Sequence, residues 1–571
     1  MDTSEIVTIL IPAGLFWGVV GLVGFLILTA VIFFALAQIN PTPSRSSYQD
    51  FLTYSGLSKI PRPVMAFISV IWLALFFAFL LGVGWAIYSL AGTAIANGSD
   101  QPADLRWSLL TLAAMMTGLG AVISFPFTLL RTQFSRRQTE ATEQGLITDR
   151  INSAVEMLGT ERVVKLPGKN AAGDDITIER SDPNMEVRIG AIHALARLAR
   201  ENLGFHVQIM EILCAYIRQN APASSAEPLH MPQMPANDVE NPRQAWADWR
   251  RGTPDEDGAR TGGLQQALDD LRSRAVARAD IQTALEVIGH RTGAQRMREA
   301  GWPDPGEDID FPFDETFPAA PDYPDAYSAA AHQEWQGALQ DFQQKVQQRI
   351  LEFAAYQGYR LDLRHSNLQA HDLSNLNLNG ARFQGAKMQG AILSQAKLQG
   401  ADLRWAEMQG AELSQAKMQG AILSQAKMQG AELSQAKMQG AILSQAKMQG
   451  AILWQAEMQG AILEQAEMQG ANLGEAQMHK STDLRAANFS GSALKSVDCR
   501  TVPISQEQVN SSFGDGSVIL PQTLTRPNWP EEDLLYNPWS PETSPFHIEW
   551  RRWQADPAGY VPPPPGTYPA D

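Results

Sequence analysis

Between Leu361 and Arg500 the chain repeats itself with a period of five. One phrase returns almost word for word: Ala-Ile-Leu-Ser-Gln, then Ala-Lys-Met-Gln-Gly. Leu393, Leu403, Leu413 and Leu423 alternate with Met388, Leu398, Met408 and Met418, and an Ala stands two positions before each (Ala391, Ala401, Ala411, Ala416, Ala421). A period of this kind decides the fold before any other feature is weighed. A five-residue step turns an α-helix by about 500°, or about 140° past a full turn, so the apolar residues would smear around it. In a straight strand an odd step sends each successive Leu to the opposite face. A chain that bends every five residues buries all of them, by coiling on itself with each Ala and Leu pointing inward. Gly at every tenth position (Gly390, Gly400, Gly410) suits the bends.

This pattern resembles the pentapeptide-repeat family, written A-(D/N)-L-x-x. Asp402 and Asn472 keep the polar second residue, where many repeats here carry Ile, Glu or Lys. The resemblance implies a right-handed quadrilateral β-helix with four pentapeptides per coil. Its core centres include Phe383, Met388, Leu393, Leu403, Met408, Leu413, Met418, Leu423, Met428 and Leu433. Centres run in steps of five from Leu363 to Met478; one residue is then inserted, and Leu484, Phe489, Leu494 and Cys499 continue. These predict about seven coils and a rod roughly 35 Å long.

The 571-residue chain, with a formal charge of −16, has room for several domains. Three uncharged runs, Ile6–Gln38, Pro63–Ser99 and Trp107–Leu130, each exceed the roughly 20 residues needed to cross a bilayer. They predict a membrane domain over 1–135 with three transmembrane helices at about 6–37, 64–92 and 108–131. The first run is too long, and too acidic in front (Asp2, Glu5), for a cleaved signal peptide. Arg45, Lys59 and Arg62 in the first loop, and Arg131, Arg136 and Arg137 after the third run, put those segments inside. The expected topology is a multi-pass protein of the bacterial cell (inner) membrane, N-terminus outside and repeats in the cytoplasm. The runs contain no Lys, Arg, Asp, Glu or His, so they read as an anchor rather than an ion path.

Residues 136–220 predict a cytoplasmic helical region. Ile147, Ile151, Val155 and Leu158 recur at helical spacing, as do Ile189, Ile192, Leu195 and Leu198. The second stripe and the helix after it resemble a HEAT-type hairpin. The segment 221–275 reads as a disordered linker or insertion. In 276–360, helices flank an acidic, Pro-rich loop at 301–330, and a helix from about Ser328 to Tyr356 leads into the rod and covers its first coil. Beyond the repeats (361–500), the segment 501–571 reads as a cap followed by a Pro-rich tail.

No catalytic constellation emerges: there is no phosphate loop, no Gly-x-Ser-x-Gly, no His-Glu-x-x-His and no Cys-x-x-Cys. No cofactor or metal is expected, and the Met centres read as core packing. Cys214 and Cys499 make no disulfide framework and suit a reducing compartment. The informative positions point outward. Ile422, Ile442 and Ile462 stack twenty residues apart, and Trp405 and Trp454 add apolar surface. This column is a candidate interaction surface for an unknown protein partner or for self-association; it equally fits a ladder that only stabilises the coil. The expected function is a non-enzymatic, membrane-anchored scaffold. Two alternatives stand beside it: an accessory subunit of a membrane transport complex, and a DNA-mimicking regulator of a type II topoisomerase, a role some soluble relatives have. Mimicry of the phosphate backbone needs an acidic rod. Residues 361–500 hold twelve acidic and thirteen basic residues, which disfavours mimicry; nucleic acid is not an expected partner either.

Overall fold

The computed structural model describes residues 62–96, 102–169, 175–232, 248–249, 252–254, 260–303, 310–321, 329–537 and 543–568. The first expected span, 6–37, and the loop residues Arg45 and Lys59 lie outside them. The chain forms two compact units, residues 1–148 and 149–571.

In the first unit, helix α1 (Arg62–Ala96) is followed by α2 (Pro102–Leu158), which continues into the second unit. Two windows, Val70–Ala91 and Arg106–Phe125, are long and apolar enough to cross a membrane. Almost none of this surface is buried: Leu81, Trp85 and Tyr88 on α1, and Trp107 and Leu110 on α2, all stand exposed. The helices pack through a notch at Gly118, where a Cβ would lie 2.2 Å from Phe79 Cε1. Pro126 brings no N–H to the carbonyl of Val122 four residues earlier. The Trp72 indole N–H on α1 donates to that carbonyl instead, at 3.0 Å.

The second unit departs from the expected all-helical start. Strands β1 (Glu161–Lys169) and β2 (Asp175–Pro183) pair as an antiparallel hairpin. Its signal was period-two alternation (Val164, Leu166; Ile176, Ile178), diluted by charges. In the last turns of α2 the buried residues are Ile151, Ala154 and Leu158, whereas Val155 is exposed. Next come α3 (Met185–Glu201) and α4 (His206–Asn220), with α3 capped by the Asn184 side chain accepting from the Val187 N–H. Helix α5 (Leu264–Arg274) lies where a disordered linker was expected, and Leu264, Leu268 and Leu271 make it amphipathic and buried on one side. Helices α6 (Ala279–Gly289) and α7 (Gly293–Ala300) follow. A buried cluster ties α4 to α7: Glu299 accepts from Arg291 at 2.5 Å and lies 2.8 Å from His206 Nε2. The acidic loop is also not wholly solvated, since Phe311, Phe313 and Phe317 are buried against α8 (Ala329–Ala355).

From Asp362 onward each side of the rod pairs in parallel with the side twenty residues later, as in Asp402↔Ile422↔Ile442↔Ile462. This is a right-handed β-helix solenoid. Every named centre from Phe383 to Leu433 is buried. The register changes from 20 to 21 between Glu457↔Gln477 and Ile462↔Asp483, which places the inserted residue after Met478. Pairing does not end at Arg500: Ala493–Leu494 pairs with Phe513–Gly514, and Asp498 with Ile519.

Both ends of the solenoid are closed by the chain itself. On the first coil, Arg218 donates to Asp362 O (2.5 Å) and Asn367 N–H donates to Ala221 O (2.6 Å). The Gln282 amide bonds both the N–H and the C=O of Asp372, Asn377 N–H donates to Gly289 O, and Arg291 donates to Asn377 O. Thus α4, α6 and the α6–α7 turn cap the first coil, the role the sequence reading gave to α8. At the other end, α9 (Gln506–Asn510) replaces one side and α10 (Pro545–Ala555) covers it. Trp529 and Trp550 donate to Ser512 O and Gly491 O, and Phe513 sits among Phe546, Trp553 and Tyr560. Edges that would template further strands are thereby removed.

Candidate interaction surfaces

The solenoid has four corners, and the repeat treats them in two ways. The corner residue takes a left-handed backbone at all of them: φ is 62° at Gly410 and 59° at Gln415. Glutamine holds that conformation too, so backbone freedom does not explain the glycines. Their surroundings do. Gly390, Gly410 and Gly430 lie under α5, where a Cβ at Gly410 would sit 2.3 Å from Leu268 Cδ1. Gly400, Gly420 and Gly440 lie under α8, where a Cβ at Gly400 would sit 2.4 Å from Phe313 Cε1 and 2.9 Å from Phe353 Cδ2. At Gly400, Gly410, Gly420, Gly430 and Gly440 a Cβ would lie 3.0 Å or less from a packed side chain, so the missing side chain lets a helix lie on the corner.

The other two corners carry glutamines and are open. Gln415 donates to Gln435 and Gln435 to Gln455, both at 2.8 Å. On the opposite corner Trp405 donates to Gln425 (2.5 Å), Gln425 to Gln445 and Gln445 to Gln465. These amide ladders fix the rotamers along two edges of the rod.

The faces between corners are set by the second residue of each pentapeptide. Ile422, Ile442 and Ile462 are half-buried and lie between a glycine corner and the Gln425 corner. Trp405 stands beside them, 52% exposed. Trp454 does not add apolar surface as the sequence suggested. It is 7% exposed because Tyr536 from the tail stacks on it, ring centroids 4.4 Å apart. No spacing rule could have paired residues so far apart in sequence.

On the next face, Glu407 sits between Lys387 (2.8 Å) and Lys427 (2.9 Å). Burial raises the pKa of this carboxyl, but hydrogen bonds from the two lysines outweigh that and hold it below the usual range. The face bearing Lys397, Lys417 and Lys437 differs: only Lys437 has an acid, Glu457 at 2.9 Å. The two cysteines are inert, since burial pushes the thiol of Cys214 up to about 11 and that of Cys499 up to about 12. Among the described residues, no group of three or more His, Cys, Asp or Glu side chains could hold a metal ion.

The coil, its left-handed corners and its Ala–Leu core coincide with eight copies of the family model for pentapeptide repeats, over residues 359–395, 393–425 and 423–455. The rod is a pentapeptide-repeat domain. Among solved structures, this chain is similar to the pentapeptide-repeat protein Rfr23 of the cyanobacterium Cyanothece 51142, at 25% identity over 20% of this chain and 87% of that one, with a TM-score of 0.17. It is similar to HetL of Nostoc sp. strain PCC 7120, a pentapeptide-repeat protein involved in heterocyst differentiation regulation, at 23% identity over 33% and 92%, TM-score 0.16. It is also similar to QnrB1, a plasmid-mediated fluoroquinolone resistance protein, at 18% identity over 28% and 84%, TM-score 0.14. No curated protein matches the chain. Pentapeptide-repeat proteins are generally structural or interaction proteins rather than enzymes.

Proposed function

We propose that this chain is a membrane-anchored, non-enzymatic scaffold whose pentapeptide-repeat domain holds a protein partner at the cytoplasmic face of the bacterial cell membrane. The anchor consists of α1, the first half of α2 and the apolar run at 6–37, with the N-terminus outside. The observation that carries the reading is the contrast between the open and the covered parts of the rod. Both ends and two corners are covered by the chain's own helices, and the glutamine corners are left as ordered, solvent-facing edges. The membrane assignment is supported by apolar helices whose surfaces stay exposed, which is unlike the buried core helix of a soluble domain. The half-buried Ile422–Ile442–Ile462 column with Trp405 is the apolar part of the binding surface. A DNA-mimic role is disfavoured by the same geometry, since an exposed face lined with lysine is the opposite of a phosphate backbone.

The test is mild cross-linking of membranes, detergent extraction and mass spectrometry of what the chain captures. Capture of a membrane-fraction protein, reduced by Ile422→Lys with Ile442→Lys, is the expected result. Capture of topoisomerase subunits, or recovery of the chain in the soluble fraction, would overturn the reading.

A further inference from the structure

The rod accepts helices along its edges by a matching rule that appears twice. Leu264, Leu268 and Arg272 of α5, four residues apart, meet Gly430, Gly410 and Gly390. Val346, Ile350 and Phe353 of α8 meet Gly440, Gly420 and Gly400. In both, one helical turn spans one coil, and the helix runs opposite to the coil order. The physical basis is pitch. A turn rises about 5.4 Å and coils are spaced about 4.8 Å. The mismatch accumulates to less than about 2 Å over three coils, within the reach of flexible side chains.

One exposed groove offers the same pitch with unanswered charge. It has a volume of about 640 Å³; Gln395, Gln415 and Gln435 line one side and Lys397, Lys417 and Lys437 the other, with Glu457 and Glu475 only at its far end. Lys397 and Lys417 are exposed and make no ion pair among the described residues. Stacked like charges destabilise a sheet. On the opposite lysine face this cost is relieved for Lys387 and Lys427 by Glu407 placed between them. Here Lys397 and Lys417 stand in line on successive coils without such relief, and only Lys437 meets an acid, Glu457 on the next coil.

We propose that this lysine-lined groove docks an acidic α-helix of a partner protein, laid along the rod with one carboxylate-bearing turn per coil. The inference rests on the scaffold reading and names the chemistry of its partner. Nucleic acid fits less well, because phosphates rise about 3.4 Å per strand step and fall out of phase with the coils. A second copy of the rod has the right pitch, but its acids are already engaged: Glu412 faces Arg272 at 3.5 Å, and Glu432 accepts from Ser434 N–H at 3.1 Å.

The experiment uses the full chain in detergent micelles and fluorescence anisotropy with two alanine-based peptides of about 20 residues, long enough for several turns. One carries glutamates three and four positions apart on a single face; its isomer spreads the same glutamates around the helix. The single-face peptide is expected to bind about tenfold tighter than the isomer. Lys397→Glu with Lys417→Glu should abolish that preference, and Lys447→Glu in the opposite groove should not. Equal binding of both peptides, equal loss in Lys447→Glu, stronger binding of duplex DNA of matched charge, concentration-dependent self-association lost in the lysine variant, or no binding up to about 1 mM would each overturn the inference. If the peptide fails while cross-linking still captures a partner that needs the isoleucine column, the acidic helix falls and the scaffold stands. If capture also disappears, both fall.

Discussion

Two kinds of corner run the length of one rod, built from the same backbone and treated in opposite ways. At the glycine corners the side chain is deleted and a helix is pressed onto the backbone. At the glutamine corners the side chain is kept, and its amides bond one another from coil to coil. The φ values of 62° at Gly410 and 59° at Gln415 show that conformation is not the variable. The difference lies in what each edge must meet: the protein's own helices at one pair, solvent or a partner at the other. The ten-residue period in the sequence is therefore a record of which edges are covered.

The largest effect should come from filling a covered corner. Gly400→Val places a β-branched side chain at φ 63° and drives it into Phe313, which is fully buried. A loss of roughly 3 kcal/mol or more is expected from strain and overpacking together, read as a lowered denaturation midpoint. Removing the partner instead of the notch comes next. Leu268→Ala should cost roughly 2–4 kcal/mol and raise hydrogen exchange in α5 while leaving the coil amides protected. A third effect depends on pH. His479, in the inserted loop, packs edge-on against Phe342 of α8, and burial pushes its pKa down from 6.5 to about 4. The unfolded chain takes up this proton near the ordinary value, so stability is whole above about pH 6.5 and is lost as the pH falls toward 4. Thermal midpoints at pH 7 and 5 should therefore differ less in His479→Gln than in the native chain. The smallest effect is expected at an open corner: Gln425→Ala breaks two exposed hydrogen bonds, one accepted from the Trp405 indole and one donated to Gln445, and should change stability by about 0.5 kcal/mol or less. A loss there as large as at Gly400 would show that the two kinds of corner do not differ in the way described.

The coil was legible because its period is incompatible with a helix or a flat strand, and because the inward residues are chemically uniform. The glycines were visible as punctuation, but their reason was not. It depends on Leu264, Leu268, Val346 and Phe353, which lie in segments far from the repeats in sequence. Helix α5 was missed because eleven residues with three leucines sit beside a Pro- and Arg-rich stretch that diluted the pattern. The β1–β2 hairpin was hidden by charges within its alternation. The caps were illegible in principle. A bond from Gln282 to the backbone of Asp372, or a ring of Tyr536 over Trp454, leaves no local signature. The lysine column was readable as three residues twenty apart; that Lys397 and Lys417 lack an acid became visible only when the column on the opposite face could be compared coil by coil.

The bond from Trp72 to the Val122 carbonyl works as a latch between α1 and α2. With the pair inserted in hydrocarbon as proposed, no water could take the place of the missing Pro126 N–H. Sliding one helix along the other by a turn would strand that carbonyl and drive Phe79 out of the notch at Gly118. The axial register of the pair is thus keyed at two points, and the two helices behave as one piece rather than as separate helices free to exchange neighbours.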